Sequence, residues 1–416
     1  MDFSIRFKLG SFQPGRVNVS NSVMPDFPSL TWQVDGAPQT ARWRSEAGLA
    51  APRRITLADD TLPADEAWRQ ACEGTGLLWQ GDFQNARHLL EAVKRRIERK
   101  PRSGSKKARE KSQPVESSLT PAETFHRHRL SQSQRARTLA MVLIPINGDY
   151  QIPLRRAPDL RDAMTEAWGP ADGMPCVVAL RELLGLLGAH EWRKKGVTIP
   201  ALGDDPQQNR IHPWYGVFSP LRGEYIDLVT QARLPARDLA FDIGTGTGVL
   251  AAVLAKRGVM RVVATELDDR AAACARENVT RLGFSQRIEV VQTDMWPAGQ
   301  APLVVCNPPW LPARPSSPME RAIYDEGSVM LRTFLSGLPA HLTRGGEGWL
   351  LLSDLAEHLQ LRSREELLTW IAEAGLVVLG EHQTRPRHGK AADTSDPLYG
   401  ARAAEITSLW RLTHAR

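Results

Sequence analysis

A four-residue motif, Asn307-Pro308-Pro309-Trp310, combines residue types that can bind a planar NH2 group. The Asn307 side-chain oxygen and the Pro308 carbonyl can accept hydrogen bonds from the two NH2 protons. Trp310 can stack on the flat amide or base that carries the nitrogen. Two prolines also end strand pairing, so a proline-rich exit from a strand is the alternative, but it explains neither the asparagine nor the tryptophan. Residues 307–310 are therefore candidate catalytic residues.

A glycine-rich segment precedes this motif: residues 242–248 read Asp-Ile-Gly-Thr-Gly-Thr-Gly. The segment follows a predicted strand, and its glycines let the backbone turn tightly and approach a ligand. Two further carboxylates, Glu266 and Asp294, end the next two predicted strands. The set indicates a site for a nucleoside-bearing cofactor. A dinucleotide such as NAD is the alternative, but it gives no role to the motif at 307–310.

Strands that alternate with helices are predicted from about residue 212 onward. The predicted strands are 239–243, 261–265, 288–292, 303–306, 349–352, 376–379 and 406–412, and the predicted helices are 248–257, 269–281, 328–341 and 363–374. Only a polar loop, 382–403, joins the last two strands, so the final strand should run antiparallel to its neighbour. The predicted fold class is therefore α/β, a doubly wound sheet with helices on both faces and an antiparallel last strand.

With these motifs in this order, residues 212–412 resemble the Rossmann-like class I S-adenosylmethionine-dependent methyltransferases that carry an NPP-aromatic motif. The segment is similar to release-factor glutamine N5-methyltransferases, to small-domain ribosomal RNA guanine-N2 methyltransferases and to adenine-N6 enzymes. The resemblance implies S-adenosylmethionine as the cofactor. Trp310 stands where the glutamine enzymes commonly have tyrosine, and its larger ring suits a larger planar group.

The resemblance also implies roles for individual residues. Asp242 would hold the amino group of the methionine portion, Glu266 the ribose hydroxyls and Asp294 the adenine amino group. Phe218 belongs to a segment, 215–220, that resembles the cofactor-covering segment of the RNA guanine group, although an ordinary core position is the alternative. The implied cofactor-binding residues are Phe218, Asp242, Gly244, Thr245, Gly246, Gly248, Glu266, Asp294 and Asn307.

The length of 416 residues indicates two domains. We expect an N-terminal accessory or substrate-recognition region at 1–200 and a methyltransferase domain at 201–416. In the first region, a helix is predicted from Asp82, a buried strand or helix end at 139–144, and helices near 159–168 and 177–194. Residues 1–200 resemble no domain that we can name.

Positive charge is concentrated in one part of the chain. The net charge is +6, and ten Lys/Arg against two Glu give residues 94–111 a local charge of +8. Four arginines at 127, 129, 135 and 137 extend the basic region to residue 137. Such a region can attract a phosphate backbone, so we expect an RNA contact through 94–137. An exposed basic linker near 94–122 is the alternative.

Several classes of protein are disfavoured. No apolar run reaches the length of a membrane span, and the first residues lack the layout of a secretory signal. The four cysteines are scattered and form no metal-binding pair, and the two histidines at 126 and 128 cannot share one helix face. We therefore expect a cytoplasmic protein without a metal site.

The functional prediction is an S-adenosylmethionine-dependent N-methyltransferase. Its acceptor would be a planar amide or exocyclic amine of a macromolecule, either a protein glutamine or a nucleic-acid base. Two alternatives stay open. The first is a small-molecule N-methyltransferase in which the N-terminal half forms a lid, and the second is a non-catalytic RNA-binding protein with a methyltransferase-like fold.

Overall fold

The computed structural model describes residues 27–34, 36–98, 119–387 and 393–415, which contain two large sheets. The first sheet has the order β1-β2-β6-β5-β4-β3 and mixes parallel with antiparallel pairs. Its strands are β1 (Ser29–Val34), β2 (Ala37–Arg44), β3 (Arg54–Ala58), β4 (Thr75–Trp79), β5 (Val142–Ile146) and β6 (Cys176–Ala179). The helices of this part are α1 (Ala64–Cys72), α2 (Phe83–Glu98), α3 (Pro121–Leu139), α4 (Arg161–Trp168) and α5 (Leu180–Lys195).

Helix α2 confirms the helix predicted from Asp82. The Asp82 carboxylate accepts a hydrogen bond from the Gln84 backbone N–H at 2.8 Å, which satisfies a donor that the first turn leaves free. The apolar face of helix α2 packs Phe83, Leu90 and Val93 into the core of the first sheet. Strand β4 is buried there along its whole length.

Two predictions for this region were wrong at their boundaries. Residues 176–179 form strand β6 and pair with β2 and β5, so the helix predicted over 177–194 begins only at Leu180. Helices also cover both ends of the linker predicted near 94–122. Helix α2 continues to Glu98, and α3 begins at Pro121 behind a capping box in which Thr120 and Glu123 satisfy each other's backbone N–H groups. Residues 99–118 and the first 26 residues lie outside the described ones.

The second sheet has the order β11-β10-β9-β12-β13-β15-β14. Its strands are β9 (Leu239–Ile243), β10 (Arg261–Glu266), β11 (Ile288–Gln292), β12 (Ala301–Cys306), β13 (Leu342–Ser353), β14 (Leu376–Thr384) and β15 (Thr407–His414). The helices are α6 (Glu224–Gln231), α7 (Val249–Lys256), α8 (Asp269–Arg281), α9 (Val329–His341), α10 (Leu355–His358), α11 (Arg364–Glu373) and α12 (Tyr399–Ala404).

This sheet confirms the predicted fold class. Strand β15 lies between β13 and β14 and runs antiparallel to both, while β9 to β13 pair in parallel. Buried apolar side chains cover both faces of the sheet in two clusters, one containing Val253 and Trp349 and the other Phe241 and Phe334. The connection between the last two strands spans residues 385–406 and contains the helix α12, where only a polar loop was predicted.

Contacts between the two halves are extensive. Strands β7 (Val197–Thr198) and β8 (Arg210–Ile211) form a short antiparallel pair between the first half and the second. Val197 packs in a core cluster of the second sheet. Helix α3 of the N-terminal half packs against the C-terminal half, where its Phe125 is buried among apolar side chains. The functional division at residue 200 stays a prediction.

Candidate active site

The register of the second sheet brings the two sequence motifs together. Strand β12 pairs in parallel with β9, and Cys306 lies opposite Ile243 at the carboxyl ends of both strands. Asn307 and Gly244 therefore leave neighbouring strands at the same level. Adjacent strands lie about 4.8 Å apart, so the polar motif and the glycine turn border one space at this edge of the sheet.

The glycine turn leaves room for a ligand. Gly244, Gly246 and Gly248 adopt left-handed φ values of 69°, 58° and 81°, which other residues rarely adopt. A Cβ at Gly246 would meet nothing within 4 Å, so this part of the turn faces open space. A Cβ at Gly244 would instead come within 2.8 Å of the Met330 Cε, which shows that α9 covers the other side of the turn.

Asp242 is buried beneath this turn, with 1% of its surface exposed. One carboxylate oxygen, Oδ2, accepts hydrogen bonds from the Thr245 hydroxyl at 2.6 Å and from the Ala251 backbone N–H at 3.0 Å. Burial raises the pKa of Asp242 to about 6, even though both hydrogen bonds act in the opposite direction. Both bonds go to Oδ2, and Thr245 fixes the carboxylate at the base of the glycine turn.

Glu266 connects the ends of strands β9 and β10. Its Oε2 accepts from the Gly246 N–H at 2.9 Å, and its Oε1 accepts from the N–H groups of Leu267 and Asp268 at 2.9 and 3.2 Å. Backbone donors thus hold the carboxylate in one orientation. An oriented carboxylate beside an open glycine turn suits a ligand with paired hydroxyl groups.

Asp294 lies just beyond the end of β11, the position predicted from the sequence, and its side chain is exposed. Aromatic packing fixes its loop: the Trp296 ring stacks on His341 at 4.5 Å and on Phe334 at 5.7 Å between ring centroids. Met295, between them, has a left-handed φ of 59°, which is unusual for a side chain of this size. The structure thus places Asp294 at the same edge of the sheet as Glu266.

Within the motif at 307–310, the tryptophan bonds back to the asparagine. The Trp310 indole Nε1–H donates to Asn307 Oδ1 at 2.9 Å. The Trp310 side chain is half-buried and packs against both core clusters of the second sheet, and Pro308 is buried. The bond fixes which end of the Asn307 amide is the acceptor, and the second lone pair of that oxygen can still accept from an NH2 group.

Phe218 belongs to the segment 215–220, which hydrogen bonds from helix α8 and its neighbours hold close to this site. Trp214 donates its indole N–H to Glu277 on α8 at 3.1 Å, and Arg270 of the same helix donates to the Tyr215 carbonyl at 3.3 Å. The Phe218 side chain is 39% exposed, which contradicts a core position for this residue, whereas its neighbour Tyr215 is partly buried against the core of the first sheet. Its contact with the cofactor stays a prediction.

Two features of the site were not predicted from the sequence. Met330, which lies 86 positions after Gly244 in the sequence, contacts the glycine turn from helix α9, and no motif marks it. A loop, residues 311–325, follows the motif and is held from the N-terminal half by Arg129, which donates to the Arg314 carbonyl at 2.7 Å. No local pattern in the sequence predicts this contact, because Arg129 and Arg314 lie 185 positions apart.

The second part of the predicted basic region is partly engaged within the protein. Arg129 forms an ion pair with Glu320, and Arg135 forms one with Glu98. Arg127 and Arg137 of the same helix are exposed. In the described part of the chain, no helix is long and apolar enough to cross a membrane.

Comparisons with known proteins agree with this geometry. Residues 226–308 match the family model described as "Ribosomal protein L11 methyltransferase (PrmA)". The chain is 34% identical over 133 residues to a tRNA1(Val) (adenine(37)-N6)-methyltransferase of Bacteroides thetaiotaomicron, covering 30% of this chain and 56% of that protein. It is 33% identical over 139 residues to a release factor glutamine methyltransferase of Cereibacter sphaeroides, covering 30% of this chain and 50% of that protein.

Among solved structures, a putative RNA methyltransferase from Pyrococcus horikoshii matches at 15% identity with a TM-score of 0.35, covering 55% of this chain and 98% of that one. The chain spans about half the length of the two curated relatives named above. Its C-terminal half resembles class I S-adenosylmethionine-dependent methyltransferases and has their Rossmann-like fold. The open glycine turn, with Asp242 and Glu266 beside it, fits S-adenosylmethionine as the cofactor.

Proposed function

We propose that this protein is an S-adenosylmethionine-dependent N-methyltransferase whose acceptor is a planar amide or exocyclic amine of a macromolecule. One observation carries the proposal: the parallel register that sets Asn307 level with the glycine turn. Two relatives are named for their acceptors, a tRNA adenine and a release-factor glutamine. Both acceptors contain such a nitrogen. A dinucleotide site would use the same turn but would give the oriented Asn307 oxygen no role.

The residues of the glycine turn would hold the cofactor. Glu266 would accept from the ribose hydroxyls and Asp294 from the adenine amino group, while Asp242 would attract the ammonium of the methionine portion through Oδ1. The bound cofactor supplies an activated methyl group on a positively charged sulfur. Thr245 and the backbone N–H of Ala251 keep the Asp242 carboxylate in place before the ligand arrives.

The motif at 307–310 would orient the acceptor. The nitrogen of an amide or an aromatic amine is a weak nucleophile because its lone pair is delocalised. Hydrogen bonds from its two protons to Asn307 Oδ1 and to the Pro308 carbonyl would hold it in one direction, and Trp310 would limit where the flat group can lie. Transfer then needs mainly positioning, since the nitrogen can lose its proton late in the reaction.

The basic region would add an RNA contact. Two of its arginines, Arg129 and Arg135, already form ion pairs within the protein, so this part of the proposal rests on Arg127, Arg137 and the positive charge at 99–111. Phosphate contacts weaken steeply as salt rises. Binding of RNA that is weak and insensitive to salt would therefore count against the contact.

The direct test is to incubate the purified protein with tritiated S-adenosylmethionine and a cell extract, and then to separate protein, RNA, DNA and small molecules. We expect label in the protein or the RNA fraction, and hydrolysis to amino acids or nucleosides should place it on a glutamine or a base. Label confined to small molecules would favour the alternative acceptor class. Absence of both cofactor binding and label would contradict the proposal.

A further inference from the structure

The loop that follows the catalytic motif has a closed base. We define the acceptor loop as residues 311–325, which begin directly after Trp310. The Leu311 N–H donates to the Ile323 carbonyl at 3.2 Å, and the Asp325 N–H donates to the Leu311 carbonyl at 2.9 Å. The two ends of the loop are therefore fixed to each other beside Trp310.

The same loop is linked to the glycine turn. The Asp325 carboxylate accepts from the backbone N–H groups of Met330 and Leu331, both at 3.1 Å, and so caps the first turn of α9. Met330 is the residue whose Cε lies against Gly244. A shift of the acceptor loop would therefore displace residues beside both the motif at 307–310 and the glycine turn.

Arg129 of helix α3 holds this loop from the N-terminal half. Its guanidinium donates to the Arg314 carbonyl at 2.7 Å and to Glu320 Oε2 at 2.8 Å, and it lies over the Tyr324 ring, 3.9 Å from the centroid. The Glu320 Oε2 atom also accepts from the backbone N–H and the hydroxyl of Ser316. One side chain thus connects residues on both limbs of the loop.

The helix that carries Arg129 is itself anchored by apolar contact. Phe125, one helical turn earlier, is 2% exposed and packs with Leu311 and Ala313 of the loop, and its ring centroid lies 6.5 Å from that of Tyr324. Phe125 fixes the position of α3, and the hydrogen bonds of Arg129 then fix the direction of the loop.

We infer that Arg129 is a positioning residue for methyl transfer: it fixes the acceptor loop from the accessory half, so that the acceptor meets an ordered wall beside Asn307. The inference rests on the proposed function. It assigns to the N-terminal half a contribution to the geometry of the site, in addition to any attraction of a charged acceptor. Arg129 would touch neither the cofactor nor the reacting atoms and would act through the loop.

The test compares Arg129→Met with Arg129→Lys and with Arg161→Met. Methionine keeps much of the apolar stem but removes the charge and the donors, so kcat should fall about tenfold, as small displacements at a reacting centre can cost that much. The dissociation constant for S-adenosylmethionine should stay unchanged, and lysine should restore part of kcat. Arg161 pairs with Asp159 on the surface of the accessory half and should show no change. Equal loss in Arg161→Met would overturn the inference.

Hydrogen exchange supplies a second readout that needs no acceptor. In Arg129→Met, backbone amides within 311–325 should exchange faster than in the unaltered protein, whereas those of β9 should not. Should Arg129→Met fold poorly, Glu320→Gln weakens the same contact from the loop side and should give the same local increase. Unchanged exchange in both variants would overturn the inference even if methyl transfer is confirmed. Faster exchange without any methyl transfer would instead count against the proposed function alone.

A third comparison separates positioning from attraction. Arg127→Met removes the same charge from the exposed side of α3. If α3 acts only by attracting a phosphate backbone, Arg127→Met and Arg129→Met should raise KM equally, and both effects should fade at high salt. That result would overturn the inference, whereas a loss of kcat that is specific to Arg129 and persists at high salt would sustain it.

Discussion

The cofactor side and the acceptor side of the site are built in different ways. On the cofactor side, the side chains of Asp242 and Glu266 bond to groups only 3, 9 and 20 positions away in the sequence. On the acceptor side, the bonds of Arg129 to the loop join positions 185 and 191 apart. Nearby parts of the chain therefore hold the two carboxylates of the cofactor side, whereas the acceptor loop depends on contacts between both halves. Variants on the two sides should consequently affect different steps.

The sharpest separation should come from Asn307→Ala. We expect a loss of kcat of about a hundredfold or more, because an oriented polar group at a reacting centre contributes this much, while S-adenosylmethionine affinity stays within a few-fold. Single-turnover methyl transfer and calorimetry measure the two quantities. Trp310→Phe is the matched comparison, since it keeps a ring but removes the N–H that holds Asn307, and its loss should be smaller. Comparable turnover by Asn307→Ala would remove Asn307 from the mechanism.

Glu266→Gln should affect the other side alone. The amide replaces one of the acceptor oxygens that hold Gly246, Leu267 and Asp268, so the turn and the ribose contact should both weaken. We expect the dissociation constant for S-adenosylmethionine to rise roughly tenfold to a hundredfold, with a much smaller change in kcat at saturating cofactor. Glu289→Gln, which changes an exposed glutamate on the next strand, is the control. An unchanged affinity in Glu266→Gln would contradict the assignment.

Cofactor affinity should depend on pH through Asp242. Because burial raises its pKa from 3.8 to about 6, the folded protein holds the proton more tightly than the unfolded chain. This contribution to stability is fully present below pH 3.8 and is lost as the pH rises through about 6. A cationic ligand needs the carboxylate, so affinity should fall below pH 6, by at most about tenfold per pH unit. Calorimetry across this range should show the fall in the unaltered protein and a flatter profile in Asp242→Asn.

The smallest effect should follow Gly246→Ala. Its left-handed φ of 58° disfavours any side chain by about 1–2 kcal/mol, and the added methyl group would enter the space assigned to the cofactor. The strain is present with and without ligand and should therefore lower stability, whereas the methyl group itself should lower S-adenosylmethionine affinity only a few-fold. Gly223→Ala is the control, because that glycine has a φ of −81° and open space around its Cα. Equal affinities in the two variants would show that the turn does not border the cofactor.

The same contrast explains what the sequence predicted. Strand β9, helix α8 and the antiparallel β15 were predicted because each carries a strong local pattern and because the glycine turn marks the order of the elements. The candidate residues Asp242, Glu266 and Asn307 lie at one sheet edge because parallel strands end there together. The motifs therefore located these candidate residues, but they did not mark Met330, which contacts the glycine turn from α9.

The accessory half gave weaker signals. Strand β6, Cys176–Ala179, was absorbed into a predicted helix because a short apolar run does not distinguish the two structures, and its partner β2 lies more than a hundred residues earlier. Strand β2 itself is mostly exposed over its first half, so it lacks the alternation that marks a strand. The docking of Phe125 on Leu311 depends on tertiary packing, which no local pattern of either segment contains.

Phe125 also bears on how the chain can be divided. Its ring is buried in an apolar cluster whose other members, among them Leu311, Leu355, Leu359 and Leu398, all lie in the C-terminal half. A fragment that starts at residue 201 would keep every motif of the cofactor pocket but would expose these apolar side chains to water, and exposed apolar surface favours aggregation. We therefore expect a shortened protein to stay in solution only if it retains α3, which lies well upstream of the sequence that resembles methyltransferases.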